Sequence, residues 1–362
     1  MVTIQHPGSA EELAHCLGEA DREGLAVLPR GGGRAFGMGD VPERSDLIIE
    51  TGGLNRLVER SQHDLTVTVE AGMTLEALST VLAETGQFLP LDPYNGPGHT
   101  VGGALASGWT GPLRQGYGTP RDFLIGLRFV LPDGRRVHSG GRVVKNVSGY
   151  DLKKLHLGAL GSLGIIVEAS FKVFPRPAAE STLRRNASSL EAAWAEAGRA
   201  LASPQPPVAL EASASSAGIE LVARLAGWPR AIERMESELG WEKVSNDYWD
   251  TLSQANSPSW ARISVPPAAL METAAHLPRE GWSASVGVGS IQWFGASQPE
   301  QVREVRARAE AAGGHLVLLA APDGLKAAVG AWGQPSPSAA LMARVREAYD
   351  PRRTMAPGRF VI

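Results

Sequence analysis

Three consecutive blocks between Leu91 and Pro175 carry residue types that suit the binding of an anionic group. They read LDPYNGPGHTVGGALASG, GPLRQGYGTPRDFLIGLRFVLPDGRRV and GGRVVKNVSGYDLKKLHLGALGSLGIIVEASFKVFP, and they are rich in Gly, Ser, Thr and Asn but poor in acidic residues. Glycine lets a ligand approach the main chain closely, and successive backbone N–H groups form a concavity for anions. An isolated glycine pair is as readily a turn. The density of the pattern over three blocks favours loops that bind an anionic ligand.

An earlier loop, PRGGGRAFGMGD, follows the apolar strand predicted at 25–28 and could hold a diphosphate. It has neither the G-x-G-x-x-G spacing of a Rossmann fold nor the GK[ST] ending of a Walker A loop, so both of these nucleotide sites lose support. Arg30 and Arg34 are candidates for neutralising phosphate charge.

These motifs together resemble a known family. PRGGG at 29–33, TVGGALASG at 100–108, GYGTPRDFLIGLRFVLPDG at 116–134 and VVKNVSGYDLKKL at 143–155 are similar to the FAD-binding domain of the vanillyl-alcohol oxidase superfamily. The segment VKNVSGYDLKKLHLGALGSLGIIVEASFKVFPRP resembles, more narrowly, the FAD-binding subunit of bacterial glycolate oxidase. That similarity extends more weakly through WARISVP at 260–266 and SIQWF at 290–294 to DPRRTMAPGR at 350–359.

The resemblance implies an α+β fold in which a two-lobed PCMH-type FAD-binding domain carries an α+β cap domain. It implies FAD contacts from the following residues: Pro29, Arg30, Gly31, Gly32, Gly33, Arg34, Ala35, Leu91, Pro93, Thr100, Val101, Gly102, Gly103, Ala106, Ser107, Gly108, Arg114, Gly116, Lys145, Asn146, Val147, Gly149, Tyr150, Gly164 and Ile165.

The mode of FAD attachment follows from one position. Relatives that bind flavin covalently commonly have a His directly after the first glycines, where this chain has Arg34, so we expect non-covalent FAD. His99 could be an exception, but a His in a polar loop is more often a hydrogen-bonding bystander. Lys145 is expected against the flavin, where its charge could stabilise the reduced ring; the alternative is a surface ion pair.

Catalytic residues are harder to identify. Related 2-hydroxy-acid dehydrogenases carry a metal motif H-x-x-G-D-G-N-x-H in the cap, of which GGHLVLLAAPDGLK at 313–326 is only a remnant, so no metal site is predicted. Arg262 could bind a carboxylate with its planar fork, although an ion pair is an equal alternative; Arg262 and Lys145 are the only catalytic candidates. Ala356 replaces the Asn of the relatives' Asn-Pro-Gly, which argues against a contact there.

Composition limits the class of protein. With 43% hydrophobic and 20% charged residues and a net charge of −3, the chain is typical of globular proteins and poorly suited to nucleic acid or an anionic membrane. No apolar run of about 18 residues and no signal peptide stand out, so we expect a cytoplasmic protein without a membrane span, or one held at the inner membrane by partners. Cys16, the sole cysteine, excludes an Fe–S centre on this chain and is expected in a helix core.

Periodicity and capping residues predict the elements that position these motifs. Ser9, with Glu12 as a capping box, and Gly24 bound a helix at 9–24, and Gly86 closes a helix at 74–86. A strand is predicted at 46–51, and alternation predicts strands at 65–72 and 165–175 and a hairpin around Pro132-Asp133-Gly134. Further elements are predicted as helices at 188–202, 229–240 and 338–348 and as strands at 208–213, 219–226, 260–265 and 283–294.

The predicted domains are an FAD-binding domain at 1–177, with lobes at about 1–52 and 53–177, a cap at 178–335 and a return to the FAD domain at 336–362. Seven of the nine tryptophans lie between Trp194 and Trp293, and we expect them in core or interface packing rather than ligand stacking.

The expected function is that of the FAD-binding subunit of a complex that oxidises glycolate or another small 2-hydroxy acid. Its expected partners are a second flavoprotein subunit and an Fe–S subunit. The alternatives are a flavin-holding structural subunit without turnover and a stand-alone FAD oxidase.

Overall fold

The computed structural model describes residues 2–141, 150–216, 218–253 and 257–360 of the chain. The secondary structure of these residues runs, in order, through a small N-terminal lobe, a larger lobe, a cap and a C-terminal helix.

The N-terminal lobe is a parallel sheet covered by one long helix. Its elements are β1 (Thr3–Gln5), α1 (Ala10–Glu23), β2 (Val27–Arg30) and β3 (Leu47–Glu50). Within the described residues β3 lies between β1 and β2. Leu13 and Leu17 of α1 are fully buried against this sheet because they lie four residues apart on one helix face. Cys16 packs at the edge of the same core.

The ends of α1 follow the prediction with one difference. Ser9 Oγ accepts from the Glu12 N–H at 3.1 Å, and Gly24 ends the helix at φ 69°. The Glu12 carboxylate, however, accepts from the N–H of Gly8 at 2.8 Å rather than from that of Ser9. The predicted capping box is therefore wrong by one residue.

The larger lobe is built on an antiparallel sheet. Its elements are β4 (Leu57–Ser61), β5 (Thr66–Glu70), α2 (Leu75–Ala83), β6 (Gln87–Phe88), α3 (Val101–Ser107), α4 (Arg114–Tyr117), α5 (Pro120–Phe123), β7 (Leu124–Val130), β8 (Arg136–Gly140), α6 (Lys153–His156), β9 (Ile165–Lys172) and β10 (Phe174–Pro175). Among the described residues the sheet order is β4-β5-β9-β7-β8, and β6 pairs separately with β10. The predicted hairpin of β7 and β8 is confirmed, with Gly134 in its turn at φ 84°.

One expectation for this lobe is wrong: the block at 100–108 is a helix, α3, and not a loop. The Thr100 side chain caps α3 by accepting from the N–H of Gly103 at 3.2 Å, and Gly108 ends it in the left-handed conformation at φ 64°. Gly102 explains the close packing, since a Cβ there would lie 2.9 Å from the Cβ of Ala71. The small residues that suggested a loop instead let a helix lie against the sheet.

The cap is a wide antiparallel sheet with helices on it. Its elements are β11 (Ala179–Ala187), α7 (Leu190–Leu201), β12 (Ala209–Ser215), β13 (Gly218–Gly227), α8 (Pro229–Leu239), β14 (Glu242–Val244), α9 (Tyr248–Ser253), β15 (Trp260–Ser264), a 3₁₀ turn (Pro267–Ala269), α10 (Leu270–Ala275), β16 (Trp282–Ser285), β17 (Ser290–Phe294), α11 (Pro299–Ala311), β18 (His315–Ala320) and α12 (Asp323–Val329). In the described part of the chain the strand order is β14-β11-β13-β12-β16-β17-β15-β18. The single strand expected at 283–294 is two strands, β16 and β17, because Gly289 turns the chain at φ 73°.

An aromatic cluster joins the cap to the larger lobe. Trp109 packs against Trp260 in a tilted arrangement with ring centroids 5.0 Å apart, and Tyr94 meets Trp260 edge-on at 6.2 Å. Trp293 is buried in the cap core, whereas Trp228 is 77% exposed. Most of the cap tryptophans thus pack in cores or at this seam, as expected.

The C-terminal segment returns to the N-terminal lobe. Helix α13 (Ala339–Tyr349) agrees with the predicted helix at 338–348, and Met355 then forms a parallel bridge with Val27. The predicted domain limits at 177 and 335 stay predictions. No helix of the described residues has the length and apolar character needed to cross a membrane.

Candidate functional site

A cleft of about 730 Å³ lies between the loop after β2, helix α3 and the segment before β9. We call it the cofactor cleft. Its lining residues are Pro29, Arg30, Gly31, Gly32, Gly33, Arg34, Ala35, Phe36, Thr51, His99, Thr100, Gly102, Gly103, Ala106, Ser107, His156, Leu160, Gly161, Gly164, Ile165, Ile166 and Arg359. A volume of this size falls in the range of small-molecule and cofactor sites.

The loop after β2 presents unused backbone donors to the cleft. Among the described residues, the N–H groups of Gly31, Gly33, Arg34 and Ala35 have no hydrogen-bond acceptor. Polar backbone groups in folded proteins are normally paired with protein, water or ligand. This row of donors therefore suits a ligand with several negatively charged oxygens, such as a diphosphate.

Helix α3 contributes a surface rather than donors, which corrects the expectation from the sequence. The N–H of Val101 donates to Met73 O at 2.9 Å, and that of Gly102 donates to Ala71 O at 2.7 Å. The N–H of Gly103 is used by the Thr100 cap. The N–H groups of the first turn of α3 are thus already hydrogen-bonded within the protein, where they cap the helix and hold it to the sheet.

Close backbone contact joins the two walls. An ideal Cβ on Gly32 would lie 1.8 Å from the carbonyl oxygen of Gly98, and one on Gly31 would lie 2.2 Å from Thr100 Oγ1. A side chain at either position would push the walls apart. Gly103 differs, because a Cβ there meets only Thr100 Oγ1, at 3.0 Å.

The two arginines of the loop have different roles. Arg30 Nε donates to Glu50 Oε1 at 2.6 Å, so its charge is already balanced. Arg34 is exposed and forms no ion pair within the described residues. Arg34 is therefore the better candidate for neutralising phosphate.

Arg359 of the C-terminal segment fixes the loop and was not predicted. Its Nη2 donates to the carbonyls of Ala35 and Phe36 at 2.8 and 2.7 Å, and its Nε donates to Met38 O at 2.9 Å. Burial lowers the pKa of its guanidinium to about 10. The MAPGR motif that places Arg359 here gave no local signal of this role. Its Ala356 is buried in a small core with Leu28 and Ile48.

His156 brings an unsatisfied polar atom to the cleft. Its Nε2 is buried and, in the part of the chain that the structure describes, has no hydrogen-bond partner. Burial lowers the pKa of the imidazole to about 4, so the ring is neutral at pH 7. By contrast, His99 Nε2 is hydrogen-bonded to the carbonyl of Tyr94 at 2.8 Å. The free loop donors and this orphaned nitrogen are what a polar, phosphate-bearing cofactor would satisfy.

The structure gathers many of the predicted FAD contacts in the cleft. These are Pro29, Arg30, Gly31, Gly32, Gly33, Arg34, Ala35, Thr100, Gly102, Gly103, Ala106, Ser107, Gly164 and Ile165. Other predicted residues do not line it: Leu91, Pro93, Val101, Gly108, Arg114, Gly116 and Tyr150, the last being 92% exposed. Lys145, Asn146, Val147 and Gly149 lie outside the described residues. Sequence reasoning missed Phe36, Thr51, His156, Leu160, Gly161, Ile166 and Arg359.

A second cavity of about 1430 Å³ lies between the larger lobe and the cap. We call it the seam cavity. Its basic lining residues are Arg114, Arg121, Lys154, Arg262 and His315, joined by the hydroxyls of Ser107, Thr110, Thr119, Ser264 and Ser290. Ser107 lines both cavities, so the cofactor cleft adjoins the seam cavity.

Arg262 is the side chain of this cavity with the most unusual environment. Burial and then the charge of Arg114 lower the pKa of Arg262 to about 10. Its Nε is buried without a hydrogen-bond partner among the described residues. The ion pair considered as the alternative for Arg262 is absent from the described part of the chain.

Two carboxyl groups are buried elsewhere in the same seam. Glu211 of the cap accepts from Ser283 Oγ at 2.9 Å, from Ser285 Oγ and from Tyr94 OH at 3.4 Å. Asp92 of the larger lobe accepts from the Leu113 N–H at 2.9 Å. Burial raises the pKa of each carboxyl to about 7. The domain contact is therefore sensitive to pH near neutrality.

No group of three or more His, Cys, Asp or Glu side chains in the described ranges could hold a metal ion.

Comparison with known proteins identifies the class of this chain. Residues 3–140 match the FAD binding domain family. The fold is similar to that of alkyldihydroxyacetonephosphate synthase, with a TM-score of 0.72 at 17% identity over 99% of this chain and 77% of that one. The chain is thus a flavoprotein with FAD as its cofactor, which confirms the predicted cofactor and fold class.

Similarity to curated proteins gives the family. Glycolate oxidase subunit GlcE of Escherichia coli (strain K12) is 32% identical over 314 residues, which cover 84% of this chain and 84% of that protein. The chain belongs to the family of this subunit, as its motifs suggested. Glycolate oxidase subunit GlcD of Bacillus subtilis (strain 168) is 31% identical over 57% of this chain and 44% of its own length. D-2-hydroxyglutarate dehydrogenase of Xanthomonas citri pv. viticola is 34% identical over 49% of this chain and 37% of its own length.

Proposed function

We propose that this chain is the FAD-holding subunit of a complex that oxidises small 2-hydroxy acids, with FAD in the cofactor cleft and the acid in the seam cavity. The observation that carries the proposal is that the two cavities adjoin at Ser107. The names of the relatives, glycolate oxidase subunits and a D-2-hydroxyglutarate dehydrogenase, support the reaction class.

In this proposal the cofactor cleft holds FAD without a covalent bond. The free N–H groups of the loop after β2 and the charge of Arg34 bind the diphosphate. Arg359 holds the loop in place through three carbonyl groups. The predicted contacts that line the cleft are the residues we propose to touch the cofactor. When bound, FAD supplies the two-electron oxidant that the chain's own side chains lack.

The seam cavity supplies the groups that a 2-hydroxy acid requires. Arg262, whose Nε has no hydrogen-bond partner among the described residues, binds the carboxylate. Burial and then Arg262 lower the pKa of His315 from its usual value of 6.5, so the imidazole is neutral at pH 7 and can accept the hydroxyl proton. His315 lies in the GGHLVLL remnant of the metal motif, and we propose that it acts without a metal.

Electrons then leave through partners. Cys16 is the sole cysteine of the chain, so it cannot hold an Fe–S cluster by itself. We propose a second flavoprotein subunit and an Fe–S subunit as the partners, in the cytoplasm or at the inner membrane surface. The names of the GlcE and GlcD relatives, each a glycolate oxidase subunit, support an assembly.

Anaerobic reduction of the bound flavin tests the proposal. The purified FAD-loaded protein is mixed with glycolate, D-lactate or 2-hydroxyglutarate, and the oxidised flavin absorbance is followed. Bleaching by one of these acids without partners supports oxidation on this subunit, and Arg262→Gln is expected to slow it about 100-fold or more. The control is Arg279→Gln, an exposed cap arginine that does not line the seam cavity.

Other outcomes identify the alternatives. If no acid bleaches the flavin even with the partners present, the chain is a structural flavin holder. If the aerobic protein alone produces peroxide at the rate of full turnover, it is a stand-alone oxidase.

A further inference from the structure

We infer that the seam cavity is built for a ligand with two anionic groups, so that the substrate class is a dicarboxylic 2-hydroxy acid rather than glycolate. This inference rests on the proposed function and adds the charge of the substrate to it. The juxtaposition of Arg114 and Arg262 without an acidic neighbour in the cavity carries it.

The two arginines come from opposite walls of the cavity. Arg262 lies on β15 of the cap, and Arg114 begins α4 of the larger lobe. Both line the seam cavity, and after the larger effect of burial the charge of Arg114 also lowers the pKa of Arg262. Like charges facing each other across a partly buried space repel unless an anion lies between them.

No acidic side chain among the described residues lines the cavity or forms an ion pair with either arginine. The described residues that line the cavity include no Asp or Glu. The residues outside the described ranges contain no Asp or Glu either, as the sequence shows. In the described part of the chain neither Arg114 nor Arg262 forms an ion pair. We therefore assign the compensating charge to a ligand.

The other basic residues of the cavity are accounted for differently. Lys154 pairs with Asp151 at 2.7 Å. Arg121 is exposed and lies beside Asp122, whose pKa is lowered first by hydrogen bonds from Thr119. His315 is neutral at pH 7 because its pKa is lowered. Arg114 and Arg262 are therefore the two less exposed arginines of the lining that form no ion pair among the described residues, which matches a dianion.

The wall that carries Arg114 is fixed to the cap. Gln115 Nε2 donates to Pro207 O at 2.7 Å, and the N–H of Gly116 donates to Val208 O at 2.9 Å. A Cβ on Gly116 would lie 2.8 Å from the Cα of Val208, so the contact requires glycine. These contacts hold helix α4 in place. Arg114 therefore cannot move away from the cavity together with α4 when a ligand pairs with Arg262 alone.

The positions of Arg114 and Arg262 favour a ligand with two carboxylates over a ligand with one. A monocarboxylate pairs with one guanidinium and leaves the other partly desolvated and unpaired, which is costly. A dicarboxylate spanning the cavity pairs with both. The cavity volume of about 1430 Å³ leaves ample room for a chain of several carbons between the two carboxylates.

Binding of two unreactive acids of equal length tests the inference. Glutarate and pentanoate have the same number of carbons and lack the hydroxyl that would be oxidised, but only glutarate is a dianion at neutral pH. We expect the FAD-loaded protein to bind glutarate at least about tenfold more tightly in titration calorimetry at low salt, since a charge-assisted pair in a partly desolvated site has that magnitude. Equal dissociation constants would overturn the inference.

Matched variants assign the preference to the two arginines. Arg262→Gln and Arg114→Gln are each expected to reduce the glutarate preference to about threefold or less, whereas the exposed-site control Arg279→Gln keeps it. Flavin content and melting temperature check that each variant is folded. Retention of the full preference in both cavity variants would also overturn the inference.

The failure of this inference and the failure of the proposed function give different results. If glutarate binds as expected but no 2-hydroxy acid reduces the flavin, the dianion site stands and oxidation on this subunit is wrong. If glycolate reduces the flavin as fast as 2-hydroxyglutarate and glutarate shows no preference, oxidation stands and the dicarboxylate class is wrong.

Discussion

The cofactor cleft and the seam cavity are adjacent but are built from different parts of the chain. The cleft relies on backbone: free N–H groups after β2, and glycines that let the loop and α3 touch. The seam cavity relies on long side chains, Arg114 from one domain and Arg262 from the other. A backbone site tolerates few substitutions but identifies itself by short motifs, whereas a side-chain site is assembled only when distant segments fold together. The comparison predicts that small substitutions in the cofactor cleft abolish FAD binding. Substitutions in the seam are expected to change substrate preference or pH dependence instead.

The largest effect is expected at Gly32. Gly32→Ala places a Cβ where Gly98 O lies 1.8 Å away, so the loop must move off the segment before α3. We expect FAD binding to be lost and the melting temperature to fall by about 10 °C or more, since overpacking against backbone costs several kcal/mol. The measurement is flavin content and thermal unfolding.

Gly37→Ala is the control for this prediction. Gly37 lies in the same loop, and a Cβ there has nothing within 4 Å. If Gly32→Ala and Gly37→Ala bind flavin equally, the tight backbone contact is not what forms the cleft.

A smaller effect is expected at Arg359. Arg359→Met removes three hydrogen bonds to the loop carbonyls. Because buried hydrogen bonds from a charged group contribute about 1.5–3 kcal/mol each and do not add fully, we expect roughly 2–4 kcal/mol lower stability and weaker FAD binding. Chemical denaturation and FAD titration measure both.

Arg353→Met is the matched control in the same tail, because the ion pair that Arg353 forms in the described part of the chain is an exposed one, with Glu43 at 3.3 Å. A loss in Arg353→Met as large as that in Arg359→Met would show that the tail, and not Arg359, orders the loop.

The smallest effect is expected in the pH dependence of stability that Glu211 causes at the contact between the larger lobe and the cap. The raised pKa of Glu211, about 7 against a usual value of 4.5, means that the folded state holds the proton more tightly than the unfolded state. Its stability contribution is therefore full below the unfolded pKa and is lost as pH rises through the folded pKa. Between about pH 5.5 and pH 8.5, wild type should lose about 2 kcal/mol relative to Glu211→Gln.

The difference between the two proteins is the quantity to measure, by denaturation at each pH, because the contributions of the buried histidines cancel in it. A difference that stays constant with pH would show that Glu211 is ionised in the folded protein throughout this range. The seam would then lack the buried, protonated network described above.

The sequence predicted the cofactor cleft far better than the seam cavity, for a physical reason. Backbone approach to an anion demands glycine at fixed spacing, so PRGGG and TVGGALASG indicated locally many of the residues that line the cofactor cleft. The same small residues led to the wrong prediction of a loop at 100–108, because glycine and alanine also let helix α3 pack on the sheet. Arg359 was missed because its partners lie more than 300 residues away along the chain.

The seam could not be assembled from sequence. Arg262 was a candidate as a single residue, but its meaning depends on Arg114 across the domain contact and on the absence of acidic neighbours. No local pattern encodes either condition.

The hairpin of β7 and β8 was predictable because alternation and a Pro-Asp-Gly turn are local signals. The number of cap strands was not, since β11 and β18 owe their pairing to distant partners.

The central claim is that a cleft formed by backbone holds FAD non-covalently against α3, and one measurement tests it directly. Gly103→Val puts a side chain into the cleft at a position where its Cβ meets only Thr100 Oγ1. The control is Gly198→Val, an equivalent change at an exposed position of helix α7, where a Cβ has nothing within 4 Å. The flavin that acid precipitation releases from each purified protein is quantified in the supernatant and in the pellet. The account predicts about one FAD per chain, all in the supernatant, for wild type and Gly198→Val, and almost none for a folded Gly103→Val. Full flavin in Gly103→Val, or flavin that stays in the wild-type pellet, would contradict it.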